Sequence, residues 1–292
     1  MLASDVWRGQ GWQSWLWLIP LAIGVAALVV PTMIGIAAVS WSTEQGAHGP
    51  IVLAIGVWLI ARRWKAITAE AEPGNVWIGG PVLLAALVGY LAARVIGSIV
   101  IESAMMYLAL VTALYLFVGF RSLRENWFPI AYLLFVLPPP GSWVAVTTQP
   151  LRLEISQRAV DVLAFLHYPV ARSGLLIYVD QYILEVKAAC GGLNSIISLT
   201  AIGLFYGYVL HNVNVRYTIL LFFVTIAMAV AANFVRVLAL VLITYYLGDR
   251  AAQGFLHEFA GLTMFAVAMG GVLLFDRVAG PIRRALSSEA AA

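Results

Sequence analysis

Three side chains in a strongly apolar chain have the types that covalent chemistry uses. They are Cys190 in "VKAACGGLNSIISL", Arg236 in "MAVAANFVRVLALVLITYY" and His257 in "GFLHEFAG". Cys190 is the sole cysteine and stands just ahead of an apolar run. A helix starting there would offer its first N–H groups to the sulfur, and such an end favours an anion and lowers a thiol pKa. Gly191 and Gly192 would let another chain approach closely. A free cysteine is also a common small buried residue, so its type alone leaves both roles open. Arg236 interrupts an apolar stretch, and an arginine at membrane depth costs at least about 2.5 kcal/mol on insertion scales. It either snorkels to the headgroups or serves a site. His257 has the side chain best suited to proton transfer near neutrality, or it is an interfacial histidine without a chemical role. A thiol with a base is a recognised nucleophile arrangement, and a guanidinium can stabilise the oxyanion of acyl transfer.

The elements that must position these groups follow from composition. Of 292 residues 62% are hydrophobic and 11% charged, and the mean hydropathy is +0.93. Soluble domains carry about 25% charged residues. The chain is therefore expected to be an all-α polytopic membrane protein, a single integral membrane domain over 1–292. Apolar runs predict about eight membrane helices, near 15–40, 50–61, 76–99, 102–120, 127–147, 193–210, from 217 onward, and 258–278. The first run is long enough to stay as a helix rather than serve as a cleaved signal, and no soluble domain is expected after the last helix.

Basic residues orient the bundle. Arg62, Arg63 and Lys65, Arg121 and Arg124, Arg216, and Arg277, Arg283 and Arg284 all fall on one side if the N-terminus with Arg8 is cytoplasmic. His48, segment 148–189 and His257 then face outward. Segment 148–189 also carries Arg152, Arg158, Arg172 and Lys187, but the opposite orientation puts the other basic clusters outside. Within it "LRLEISQRAVDVLAFL" reads as an amphipathic helix lying at the interface. "LLIYVDQYILEV" is rich in β-branched and aromatic residues around Asp180 and Gln181 and reads as a small hairpin. Counting about 1.5 Å per residue from Tyr217 brings Arg236 about 30 Å along its helix, to the outer boundary and level with Cys190.

Several classes are excluded or unsupported. The net charge of +3 is spread over loops and forms no nucleic-acid stripe. The four histidines, His48, His167, His211 and His257, lack ligand spacing, so no metal is expected, and no cofactor. No glycine-rich phosphate loop is present.

At these residues the chain resembles the exosortase/archaeosortase family of membrane transpeptidases. The resemblance spans nearly all the chain. "EVKAACGGLNSIISL" is similar to the family's cysteine block, "NFVRVLAL" to its Asn-x-x-Arg-Val block, "LHEFAG" to its histidine block and "AHGPIVLAIGVWLI" to its His-Gly helix entry. "FPIAYLLFVLPPP" and "YPVARSGLLIYV" stand in the expected order. The ordered set is specific, whereas any single block is weak. The resemblance implies that Cys190 is the nucleophile with Arg236 and His257 as partners. It implies cleavage of C-terminal sorting signals of the PEP-CTERM kind; attack by the Cys190 thiol on a secreted substrate tethered by such a signal would pass through a thioester intermediate. It further implies an inner-membrane protein, active on the periplasmic side, in an exopolysaccharide and cell-surface setting. Gly191 stands where many members have Ser, which bears on subfamily and motif.

Three supporting residues stay open between roles. Asn233 orients Arg236, bonds substrate backbone or packs helices. His48 lines an outer cavity or is a loop histidine. Glu185 positions Lys187 or substrate, or is a solvated charge. The competing class is a transporter or scaffold in exopolysaccharide assembly, with Arg94 and Arg236 binding an anionic group.

Overall fold

The computed structural model describes residues 18–42, 46, 48–69, 71–185, 193–210, 215–248 and 255–281; for 18, 145, 185, 193–196, 215, 255–262, 264 and 265 only the backbone is described. Cys190 lies outside the described residues, as do the side chains of Glu185 and His257. Two compact units emerge, Met1–Pro140 and Gly141–Ala292.

The first unit holds α1 (Leu18–Ile36, continued by a π turn over Ala37–Trp41), α2 (Gly49–Ala69), α3 (Val76–Ile96), α4 (Ile99–Glu125) and α5 (Trp127–Tyr132), with a 3-10 turn over Leu133–Val136. α3 and α4 form a tight hairpin. Asn75 caps α3 by accepting the Trp77 N–H at 2.9 Å. α4 opens at Gly119 (φ 80), where a side chain would strike the Glu72 carbonyl. The connecting segment fills the break: Glu72 N–H donates to the Val118 carbonyl and Gly74 N–H to that of Leu116. Backbone acceptors freed by the kink are thus satisfied inside the protein, as apolar surroundings demand.

Where α3 meets α4, Arg94 donates to Glu102 at 3.0 Å and to the Tyr90 hydroxyl at 3.1 Å. Thr32 of α1 donates to the same Glu102 oxygen at 2.8 Å. The carboxylate is 9% exposed and Arg94 46%. This ion pair accounts for Arg94 as part of the packing of α1, α3 and α4. Glu102→Ala is expected to cost about 1–3 kcal/mol by removing the carboxylate that Arg94 and the buried Thr32 share, read as a lower thermal midpoint in detergent. Glu102→Gln keeps the Thr32 bond and isolates the charge.

The second unit begins with α6 (Gly141–Phe165) and a sheet of β1 (Val170–Ser173), β2 (Leu176–Val179) and β3 (Tyr182–Glu185), followed by α7 (Leu193–Leu210), α8 (Val215–Leu247) and α9 (Phe255–Val278). α6 is amphipathic over the expected stretch. Ile155, Ala159, Val160 and Leu163 are buried, and Glu154 pairs with Arg158 at 2.8 Å on an exposed face. Left-handed His167 (φ 65) closes it, with the Tyr168 N–H donating to the Leu163 carbonyl. The expected hairpin is present as β2–β3, and β1 adds a third, antiparallel strand. Ile177 and Val179 of β2 pack with α6 and with Val237, Leu240 and Val241 of α8 into one core.

Among the described residues four helices are long and apolar enough to span a membrane: Ile19–Trp41, α3, α4 and Arg216–Leu247, or five if the broken pair Trp127–Val136 and Gly141–Phe165 counts as one. The count of about eight is thus not reached on length and composition. α2 is fully helical but carries Arg62, Arg63 and Lys65 in its second half. The run expected as one helix over 127–147 is interrupted, because Pro138–Pro140 cannot continue a helix and a new one starts at Gly141. α7 contributes a shorter apolar stretch, Ile197–Leu210.

Candidate active site

α8 is the element on which the candidate site is built. Its 33 residues rise about 50 Å, well beyond the ~30 Å hydrocarbon core. The helix does not end near Arg236 but continues eleven residues to Leu247. Its far end carries Tyr245 and Tyr246, which meet the Tyr168 ring edge-on at 5.3 and 6.2 Å. From Tyr217 to Tyr246 the rise is about 43 Å, the thickness of a bilayer with its headgroups. Arg236 then lies about 15 Å short of the tyrosine end, just inside apolar depth.

α7, α8 and α9 form an antiparallel trio whose register can be read from close approaches. A Cβ on Gly207 would stand 3.0 Å from Leu221, and one on Gly203 2.8 Å from the Thr225 hydroxyl. One on Gly271 would stand 3.1 Å from the Met228 sulfur. Leu199, Ala229 and Ala268 make a shared core at mid-height. At one end Asp276 of α9 accepts from Tyr206 of α7 at 2.8 Å and from Tyr217 of α8 at 2.5 Å. Both Asp276 and Tyr217 are buried, so this end is pinned by a clasp that involves all three helices.

Towards the other end, Arg236 lies about 10 Å above the shared core and the first residue of α7, Leu193, about 9 Å above it. The two are level. α7 begins three residues after Cys190 in the chain. His257 falls in the first turn of α9, its backbone about 16 Å above Ala268, roughly one turn past Arg236. Arg236 is 7% exposed and Asn233 3%. They sit three residues apart on one helix face, above Ala229. Both polar atoms of the Asn233 amide lack a hydrogen-bond partner among the described residues, as does the Thr200 hydroxyl of α7, 4% exposed. Buried polar groups are normally paired, and leaving one unpaired costs about 1–3 kcal/mol. Groups held this way are suited to receive a ligand's hydrogen bonds.

The expected residues therefore stand as follows. Arg236 and Asn233 are together and buried. Glu185 is the last residue of β3, five residues before Cys190. His48 belongs to the first unit, just ahead of α2, and its carbonyl accepts the Val52 N–H. Burial lowers its imidazole pKa, and a hydrogen bond to the Phe135 backbone partly opposes this. Thr200 and Asp276 were missed by sequence reasoning. A hydroxyl three residues before Gly203 and a carboxylate in "VLLFDR" were the available signals. A groove of about 440 Å³ in the first unit, lined by Ile78, Val82, Val111, Thr112, Tyr115 and Phe120 among others, is mostly apolar and holds none of the expected site residues. No group of His, Cys, Asp and Glu suited to a metal occurs among the described residues.

Among the described residues, long apolar helices with a buried arginine and a buried, unpartnered amide in one of them define a multi-pass α-helical membrane protein. The family model for transmembrane exosortases matches residues 41–274, which takes in the cysteine, arginine and histidine blocks. The chain belongs to that family, and it is accordingly a sortase-like membrane enzyme that acts on secreted substrates. No curated protein and no solved structure matches it.

Proposed function

We propose that the chain is a cysteine transpeptidase of the bacterial inner membrane that cleaves C-terminal sorting signals of secreted proteins at the periplasmic face. The observation that carries this reading is the family match over 41–274, with the three reactive blocks inside it in order. The level register of buried Arg236 with the start of α7 supports it.

The substrate stays tethered by its own C-terminal membrane helix, which raises its effective concentration at the site. His257 takes the proton of the Cys190 thiol. The thiolate attacks the scissile carbonyl, and Arg236 stabilises the oxyanion that forms. Collapse breaks the C–N bond, His257 returns its proton to the leaving amine, and a thioester to Cys190 remains. An amine or water then attacks the thioester and restores the thiol. Signals of the PEP-CTERM kind, with a short motif, an apolar helix and a basic tail, are the substrates, in a setting of exopolysaccharide and surface assembly.

The test is covalent. A reporter with such a tail is incubated with the parent chain and the reaction is quenched with acid during turnover, before the thioester is resolved. An enzyme–reporter species lacking the tail should accumulate, be released by hydroxylamine and be missing in Cys190→Ser. Tail release in Cys190→Ser without any adduct would sink the thioester route.

A further inference from the structure

We propose that the outer edge of β3 receives the extended segment of the substrate just ahead of its membrane helix, as a fourth strand running parallel to β3. The inference rests on the transpeptidase reading for the identity of that segment and on the sheet itself for the docking.

The sheet has order β1-β2-β3, so β1 and β3 are its edges. An edge strand is a template for another chain, and proteins normally blunt it with charge, proline or a covering element. β1 is blunted. It carries Arg172, whose guanidinium donates to the Leu153 carbonyl of α6 at 3.3 Å and to the Gly174 carbonyl at 3.1 Å. β3 reads "YILE": its one charge is Glu185 at its last position, and it has neither proline nor a basic residue.

The direction of its backbone groups follows from register. Val179 pairs with Tyr182 across a two-residue turn, Tyr178 with Ile183 and Ile177 with Leu184. The Asp180 N–H donates to the Pro169 carbonyl on the β1 side. Even-numbered residues of β2 therefore face β1 and odd-numbered ones face β3. In an antiparallel ladder the hydrogen-bonded pairs alternate, so Tyr182 and Leu184 bond to β2. The N–H and C=O of Ile183 point away from the sheet. No described residue takes them, and Ile183 is 58% exposed.

β3 also leads to the candidate site. The Tyr182 hydroxyl lies near Gly248 at the outer end of α8, 3.4 Å from where a Cβ would stand. Leu184 packs on the core that includes Val237 and Val241. The strand thus runs down α8 from its end toward Arg236. Cys190 follows Glu185 by five residues, which bounds their separation at about 17 Å. A substrate whose membrane helix is C-terminal descends in the same sense, hence the parallel pairing. Main-chain bonds along the edge supply affinity, and alternate side chains supply selectivity.

Ile183→Pro tests the idea, because it removes the outward N–H and leaves the β2 ladder intact. Against a tailed reporter that the parent chain cleaves, it should lower kcat/KM by about tenfold or more, mostly through KM. The rate at which a small maleimide labels Cys190 should not change, which reports an intact fold and thiol. Ile183→Ala, which keeps the N–H, should lose less than about threefold. A second measurement does not depend on catalysis. In a Cys190→Ser, Ile183→Cys chain, copper-phenanthroline oxidation is applied with reporters bearing one cysteine at successive positions before the membrane helix. Disulfide yield should alternate with period two. Parent-like cleavage by Ile183→Pro, or a yield without alternation, overturns strand addition while leaving the nucleophile in place. Cleavage surviving in Cys190→Ala overturns the transpeptidase reading instead.

Discussion

Replacing Cys190 with alanine is expected to stop release of the sorting tail from a co-expressed reporter, lowering the rate by about 10³-fold or more. The size of the effect comes from the loss of the sulfur that carries the acyl group in the proposed mechanism. Serine at the same position should be nearly as inactive, since a hydroxyl lacks the thiol's accessible anion. A packing role for this thiol predicts the opposite pattern. Small buried substitutions cost about 1 kcal/mol of stability, and a folded Cys190→Ala chain would then keep its activity. Comparing the membrane level of the variant with its tail release separates the two. Tail release at the parent rate by a normally abundant Cys190→Ala chain would return the cysteine to the interior.

The second large effect is expected at Arg236. Arg236→Gln should lower kcat by about 10² to 10³-fold, the range seen when one oxyanion donor is removed. Arg236→Lys is the sharper comparison. A guanidinium that merely reaches for headgroups is replaceable by a lysine, which snorkels as well. A guanidinium that presents a planar set of donors to a reacting oxygen is not. Arg236 is buried on the face shared with Asn233, which favours the second situation, and Lys should recover little of the lost rate. Recovery to within about threefold of the parent rate would identify a charge acting at the membrane surface.

The helical plan was legible because it depends on short-range pattern. α3, α7 and α9 start and stop within a few residues of the apolar runs that announce them. The β2–β3 hairpin was legible for a similar reason: β-branched and aromatic residues flank a two-residue turn at Asp180 and Gln181. What escaped depends on partners in other helices. Glu102 looks like an intrusion in an apolar helix until Arg94 and Thr32 are seen to converge on it. Asp276 looks like part of a basic end until Tyr206 and Tyr217 are found against it, 70 and 59 residues away. The break at Pro138–Pro140 was visible as composition but was placed at the end of a span, whereas it separates two helices. Of the candidate site, Arg236 was legible as a charge where none belongs. The buried Thr200 of α7 was not, since one hydroxyl in an apolar helix has no signature of its own.

The great length of α8 has one more effect. A rod that crosses the lipid and stands beyond it, with a guanidinium fixed at a set height, acts as a gauge. Any chain anchored in the same lipid presents its bonds at heights dictated by how many residues separate them from its own anchor. Where such a chain is cut would then be counted from the membrane as much as read from its side chains, so that spacing itself becomes part of the address.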